Sequence, residues 1–394
     1  MCTPRSIPWC TRRSIPSPGR SMPRLVALDL EGGPGFVAAL QRVWDAGDAA
    51  LPLDQRLKIS QRRALASSFG ATAVIEAAGE QRLPDGQPTE VDDALVVATS
   101  GSTGPPKGVV LTHAAVAASA AATSRRLGVT ADDHWLACLP LNHVGGLSVV
   151  TRALHLGTRL TVHSQFNALD VMASEATHVC LVATALARIE PSVFRVIVLG
   201  GSRPPDHIPD NAVVTYGMTE TGSGVVYDGL PLDGVEVSVR DGELHVRCPM
   251  LLRCYRDGSV PFTADGWYPT GDFGSIDGSG RVRVFGRADD LIITGGENVW
   301  PETVEQALTG YPGIADLAIA GQPDLEWGEI VVAHIVQAPQ APPVSLQSLR
   351  EHVKATLPAF AAPRHLVVHE KLPRTALGKI QRECLEDLPD SSAT

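Results

Sequence analysis

From residue 36 to 44 the apolar positions Phe36, Val37, Leu40, Val43 and Trp44 fall at helical spacing, and Gly47 stands where a left-handed residue would stop the helix. A second helical stretch is predicted over residues 61–69. Residues 83–92 are polar and hold Pro84, Gly86 and Pro88, which predicts a surface connection. Short apolar runs at 94–98 and 109–111 then read as strands on either side of a glycine-rich loop, and Thr112 is placed to N-cap an alanine-rich helix from His113 to about Arg126. Further on, apolar runs at 135–139, 178–182 and 195–199 alternate with helical patterns at 145–156 and 169–175. That alternation predicts α/β layers.

Beyond Tyr227 the texture changes. Residues 235–240, 243–247 and 281–285 show period-two or β-branched patterns bounded by D-G turns, so antiparallel strands are expected. A boundary is expected around residues 286–290. After it come a helix at 302–308, strands at 315–320 and 329–336, a Pro-rich connector at 337–344, a helix at 346–356 and a strand at 365–368. The expected organisation is a disordered arm over residues 1–22, an N-terminal domain over 23–287 and a C-terminal domain over 288–388. The arm repeats R-S-I-P and is rich in Pro, Ser and Arg, and Met22 is the expected start of translation.

Composition narrows the function classes. At 394 residues with 44% hydrophobic content, two or more cores are expected. A net charge of -10 argues against a general nucleic-acid binder, and no apolar run approaches the roughly 18 residues of a membrane helix. Seven scattered cysteines without a C-x-x-C pair suit a reduced, cytoplasmic setting. Twelve histidines form no H-E-x-x-H pattern, so a protein-held zinc site is not expected.

The candidate chemistry begins at residues 99–108, T-S-G-S-T-G-P-P-K-G. Its glycines let backbone N–H groups approach an anion, its hydroxyls add donors, and Lys107 adds a mobile cation. Pro106 and Gly108 flank that lysine, so this is not a Walker A loop. A turn joining two strands is the plain alternative. Y-G-M-T-E-T at 216–221 follows Val213 and Val214 and sets Thr219 and Glu220 at a strand end, where a carboxylate suits Mg²⁺; a solvated glutamate is the alternative. In Y-P-T-G-D at 268–272, Asp272 can accept from both ribose hydroxyls or serve as a turn aspartate. Two more motifs follow, G-R-A-D-D-L-I-I-T-G-G-E-N-V-W-P-E at 286–302 and P-R-T-A-L-G-K-I-Q-R at 373–382.

These five motifs, in this order, resemble those of the adenylate-forming enzymes: acyl- and aryl-CoA synthetases, luciferases and the adenylation domains of peptide synthetases. The resemblance implies an α/β fold, with a large N-terminal region of packed α/β sheets plus a small β-barrel, and a smaller mobile α+β C-terminal domain. It also implies ATP, Mg²⁺ and CoA as cofactors and cosubstrate. Thr99, Ser100, Gly101, Ser102, Thr103, Gly104 and Lys107 match the segment gripping the β- and γ-phosphates. Gly200, Gly201 and Ser202 match the adenine-lining stretch, with Tyr216 packed on the base and Gly217 beside it. Thr219 resembles the α-phosphate contact, Glu220 the Mg²⁺ ligand, and Asp272 and Arg287 the ribose contacts. Asp289 occupies the hinge position, Gly295 and Gly296 the CoA tunnel, and Lys379 the lysine bridging the reacting carboxylate and the adenylate. His143, in L-P-L-N-H-V-G-G, borders the acyl pocket and thiol tunnel in that comparison; a helix-starting histidine is the other reading.

Within the family, the short N-terminal region and V-Y-D-G-L-P-L-D-G-V at 226–235 are most similar to the o-succinylbenzoate:CoA ligases of menaquinone biosynthesis. That likeness implies 2-succinylbenzoate as the acid. Another small aryl or short-chain acyl-CoA synthetase, a stand-alone adenylation enzyme loading a carrier protein, and a nucleotide-binding regulator without chemistry are the rivals. Partners are then a small carboxylic acid, ATP and CoA, with no nucleic acid and no membrane insertion, and a homodimer is left open. For the acid's second carboxylate, Arg152, Arg203 and His207 are candidates by charge alone.

Overall fold

The computed structural model describes residues 22–99, 106–201, 204–205, 207–374 and 380–385. Its packing divides the chain into two units. One holds the described residues as far as Glu236 together with Arg247–Tyr268; the other holds Val237–Val246 and the described residues from Pro269 onward.

The first unit is built on two seven-stranded sheets. Leu25–Leu28 and Ala49–Pro52 are buried along their whole length, as strands of a parallel sheet covered on both faces must be. Beside them lies the antiparallel hairpin of Asp93–Thr99 and Lys107–Thr112, and Cys254–Tyr255 adds a short strand to its outer edge. Arg253 and Arg256 clamp that late strand in place. Arg253 pairs with Asp93 at 2.9 Å and Glu90 at 2.7 Å, while Arg256 donates to the carbonyls of Phe69, Gln87 and Pro88 at 2.8 to 2.9 Å. The second sheet centres on Ala212–Met218, Val196–Leu199, His178–Leu181 and His134–Ala137.

Local chemistry explains the connecting helices. Pro34 opens the helix Pro34–Asp45, and Gly47 follows it at φ 80°, the left-handed stop expected. Thr112 accepts a hydrogen bond from Ala115 N and caps the helix His113–Leu127. The helix expected over 169–175 is shorter, Ala168–Met172. Asn167 caps its start, and Glu175 sits at φ 54°, which no helix continues through.

In the second unit, Glu236–Arg240, Glu243–Arg247, Tyr268–Ile276 and Val282–Arg287 form a four-stranded sheet, counting end residues that pack with the first unit. Where a small barrel was expected, this sheet is open among the described residues. A five-stranded sheet carries Gly328–Gln337 near its centre, antiparallel to Ile314–Asp324 and parallel to His365–His369. The helices Pro301–Ala307 and Leu346–Lys354 bury Val304, Leu349 and Val353 against Ile319 and Val331 of that sheet. No helix among the described residues is long and apolar enough to cross a membrane.

Candidate active site

The glycine-rich loop is carried at the mouth of a hairpin whose last pair is Thr99 and Lys107, with the Thr99 hydroxyl 3.3 Å from the Lys107 carbonyl. Ser100, Gly101, Ser102, Thr103 and Gly104 lie outside the described residues. The Lys107 ammonium rests over the Tyr255 ring, 5.1 Å from its centroid. Gly108 is required by close packing, since a Cβ there would stand 2.9 Å from Arg256 and 3.0 Å from Val96.

At the end of Ala212–Met218 the chain turns through a 3-10 helix, Thr219–Thr221. The buried Thr221 hydroxyl fixes that turn, accepting from Met218 N at 3.0 Å and lying 2.7 Å from the Ser223 carbonyl. A Cβ on Gly217 would meet the Ser223 carbonyl at 2.4 Å, so Tyr216, Thr219 and Glu220 are presented from a strand that passes close to its neighbour. Glu220 Oε1 accepts from the Tyr255 hydroxyl at 2.9 Å, and the second carboxylate oxygen has no hydrogen-bond partner among the described residues. No group of three or more potential ligands gathers among the described residues. One carboxylate with a free oxygen fits Mg²⁺, which takes one or two protein carboxylates and completes its shell with phosphate and water. Gly200 and Gly201 follow Val196–Leu199. A Cβ on Gly200 would lie 2.7 Å from the Thr215 hydroxyl, and Gly201 adopts φ 84°. Ser202 is outside the described residues.

His143 precedes the helix Val144–Leu156 without a side-chain cap bond. Its Nε2 lies 3.2 Å from Arg56 Nη2. A guanidinium only donates, so Nε2 accepts and the ring proton sits on Nδ1. Burial, then the Arg56 charge, pushes the His143 pKa down to about 4 against the opposing pull of Asp54. The imidazole is therefore neutral near pH 7. Arg152, one charge-based candidate for the substrate's second carboxylate, is 1% exposed and faces the second sheet. Its guanidinium stacks on Trp135 at 4.7 Å and reaches Ser223 at 3.3 Å and Cys180 at 3.9 Å. Arg203 is not described, and His207 is exposed.

In the second unit Asp272 and Arg287 are direct cross-strand partners, 3.4 Å apart, with Asp272 8% exposed. The two residues expected on the ribose are thus brought together by register alone. Asp289 is exposed within the 3-10 turn Ala288–Asp290, and that turn lies inside the second unit. Gly295 and Gly296, at φ 60° and 84°, make the two-residue turn between Ile292–Thr294 and Glu297–Val299, and a Cβ on Gly295 would stand 2.8 Å from the Trp327 ring. Lys379 lies outside the described residues, but both flanks are fixed. Arg374 pairs with Asp316 at 2.6 Å and bridges to Ile380, while Arg382 reaches Glu305 at 2.7 Å, Glu302 at 3.4 Å and Asp290 at 3.6 Å. Sequence reasoning missed Tyr255, Arg56 and the acidic ring around Arg382. Arg382, Asp290 and Glu302 stood inside motifs that could have flagged them, whereas Tyr255, Arg56 and Glu305 did not.

The glycine-rich segment with Lys107 and the strand-end Glu220 in the first unit, and the paired Asp272 and Arg287 in the second, are the residues by which the sequence resembles the enzymes that activate carboxylic acids with ATP. Residues 76–255 match the AMP-binding enzyme family, and residues 303–379 match the AMP-binding enzyme C-terminal domain. The chain is 40% identical, over 89% of its length and 94% of the relative's, to a probable 2-succinylbenzoate–CoA ligase of Mycobacterium tuberculosis. Its structure is similar to that of o-succinylbenzoate CoA synthetase from Bacillus subtilis in complex with the acyl-adenylate intermediate, with a TM-score of 0.82 and 29% identity over 93% of this chain and 89% of that one. The same enzyme in complex with ATP and magnesium ion gives a TM-score of 0.81 at 29% identity, over 92% and 89% of the two chains. This chain belongs to the AMP-binding enzyme family.

Proposed function

We propose that the protein is an ATP-dependent acid–thiol ligase that adenylates 2-succinylbenzoate and transfers the acyl group to CoA, giving 2-succinylbenzoyl-CoA, AMP and pyrophosphate, in menaquinone biosynthesis. The observation that carries the choice of acid is the 40% identity, across nearly the whole of both chains, to a probable ligase for that acid.

The reaction has two halves. A carboxylate oxygen of the acid attacks the α-phosphorus of ATP, an O–P bond forms, and the bond to the β-phosphate breaks to release pyrophosphate. The CoA sulfur then attacks the activated carbonyl carbon, a C–S bond forms, and AMP leaves. Two anions meet in the first half, so cations placed beforehand are the main catalytic resource. Lys107 and the hydroxyl-rich loop from Thr99 to Gly104 hold the β- and γ-phosphates, Thr219 the α-phosphate, and Lys379 the reacting oxygens. Glu220 would hold Mg²⁺, which when bound would supply positive charge against the phosphates. Gly200, Gly201, Ser202, Tyr216 and Gly217 take the adenine, and Asp272 with Arg287 takes the ribose. In the second half the neutral His143 and the Gly295–Gly296 turn border the path of the thiol. Asp289 is the hinge about which a C-terminal domain, residues 288–388, replaces Lys379 with that turn.

Five free cysteines among the described residues support a reducing, cytoplasmic setting. A homodimer is part of the proposal, and light scattering tests it. The chemistry is tested by pyrophosphate release across a panel of carboxylic acids with and without CoA. Turnover with 2-succinylbenzoate and CoA supports the assignment. Indifference to that acid, or transfer to a carrier protein in place of CoA, removes it.

A further inference from the structure

We propose that Tyr255 is a positioning residue with two separable tasks: its hydroxyl orients the Glu220 carboxylate, and its ring holds the Lys107 ammonium. The inference deepens the function proposed above and rests on Glu220 being the Mg²⁺ ligand. Tyr255 lies 35 residues beyond Glu220 in sequence and comes to it through strand pairing, opposite Val109. It is 8% exposed, its own N–H is bonded to the Ser259 carbonyl at 2.8 Å, and the neighbouring Arg253 and Arg256 are each anchored to several partners. The ring is thus held by backbone and neighbours before any ligand arrives.

The direction of the hydrogen bonds follows from donor chemistry. An ionised carboxylate only accepts, so the Tyr255 proton goes to Glu220 Oε1. The Tyr268 hydroxyl, 3.3 Å from that of Tyr255 and 6% exposed, must then be the donor in their contact. A relay Tyr268 to Tyr255 to Glu220 polarises each bond in turn and spends one oxygen of Glu220 on protein, leaving the other for a cation. Meanwhile the Lys107 ammonium sits on the π face of the same ring. A cation resting on a ring keeps its charge available to phosphate, which a salt bridge would neutralise. One side chain therefore presets both positive partners of the phosphate chain, the lysine directly and the metal through its ligand.

The test is equilibrium binding of a fluorescent ATP analogue to the whole protein, titrated with Mg²⁺ and repeated in EDTA, for wild type, Tyr255→Phe, Tyr255→Leu, Tyr268→Phe and Glu220→Gln. Tyr255→Phe keeps the ring and loses the hydroxyl. It should raise the Mg²⁺ concentration for half-maximal binding about tenfold, the scale of a lost hydrogen bond to a charged group, and leave EDTA binding unchanged. Tyr268→Phe should shift the Mg²⁺ requirement the same way by less. Tyr255→Leu should also weaken binding in EDTA, because Lys107 loses its rest. If Glu220→Gln raises the requirement and Tyr255→Phe titrates like wild type, the role of Tyr255 is overturned and the metal reading survives. If Glu220→Gln itself titrates like wild type, the metal reading falls and the inference falls with it.

Discussion

Where a carboxylate must approach a phosphate, positive charge placed beforehand is usually the largest electrostatic contribution to the rate. On the proposed role, Lys379→Ala lowers adenylate formation by about 10²- to 10³-fold and leaves acyl transfer from supplied adenylate near the wild-type rate. Single-turnover measurement of each half-reaction checks this, and equal loss in both would remove Lys379 from its assigned step. His143 makes a second prediction. Its folded pKa of about 4 lies below the ordinary 6.5, so the ring stays uncharged through the physiological range and takes a proton only near pH 4. In Arg56→Met one of the two lowering causes is gone, and the His143 resonance followed by NMR should titrate closer to 6.5. An unchanged pKa would leave burial as the whole cause. The same two residues show the limit of reading a site from sequence. Glu220, Asp272 and Arg287 stand in short motifs and are legible in the chain itself, whereas the Arg56–His143 contact joins positions 87 apart and carries no local signal. Arg152, a candidate by charge alone, sits in the run Gly146–Ala153, buried on every face of its helix, with its guanidinium stacked on Trp135, a setting that no local pattern in the sequence announces.

Elements were readable wherever backbone chemistry is local. The Thr112 cap, the Gly47 stop, the strands near 135, 178 and 196 and the helix Val144–Leu156 appear as expected, because each is decided by a few neighbouring residues, whereas the strand Arg159–Val162 was not foreseen. The expected barrel depended on which distant strands pair at the edges, and nothing in a single strand's pattern states its neighbour. The Cys254–Tyr255 edge strand is two residues long and was likewise beyond periodicity. Thr112→Ala tests the local account. Loss of the cap should cost about 1 kcal/mol and lower the melting midpoint of the unit by roughly 2 to 4 °C, with Thr112→Ser close to wild type. Calorimetry on the two variants decides whether the cap or the preceding strand starts that helix.

Across the molecule, buried histidines set a common response to acid. His178 is lowered to about 4 by burial, with Arg195 and Arg152 against Asp133, and His334 to about 4 by burial beside His369 and His365. His334 Nδ1 lies 3.0 Å from His369 Nε2, and the electrostatic influence of His369 and His365 opposes a proton on His334. With folded pKa values below the unfolded 6.5, the unfolded chain binds protons first. Stability is whole above pH 6.5, falls as pH drops from 6.5 to 4, and levels below that, by at most about 3 kcal/mol for each ring. Urea unfolding at pH 7, 5.5 and 4.5 should follow that course, and His334→Gln should flatten it for the second unit. The route of the chain has a further outcome. Because residues 237–246 belong with the second unit and 247–268 return to the first, the backbone crosses between the units three times, and the second unit has no single junction with the first. For recombination among homologues this makes one crossover point unlike another. A chimaera that switches parents after Tyr268 takes two strands of the four-stranded sheet from each ancestor, whereas a switch after Arg287 inherits the ladder intact. Libraries split at the two points should differ in melting temperature, with the later seam keeping the parental value.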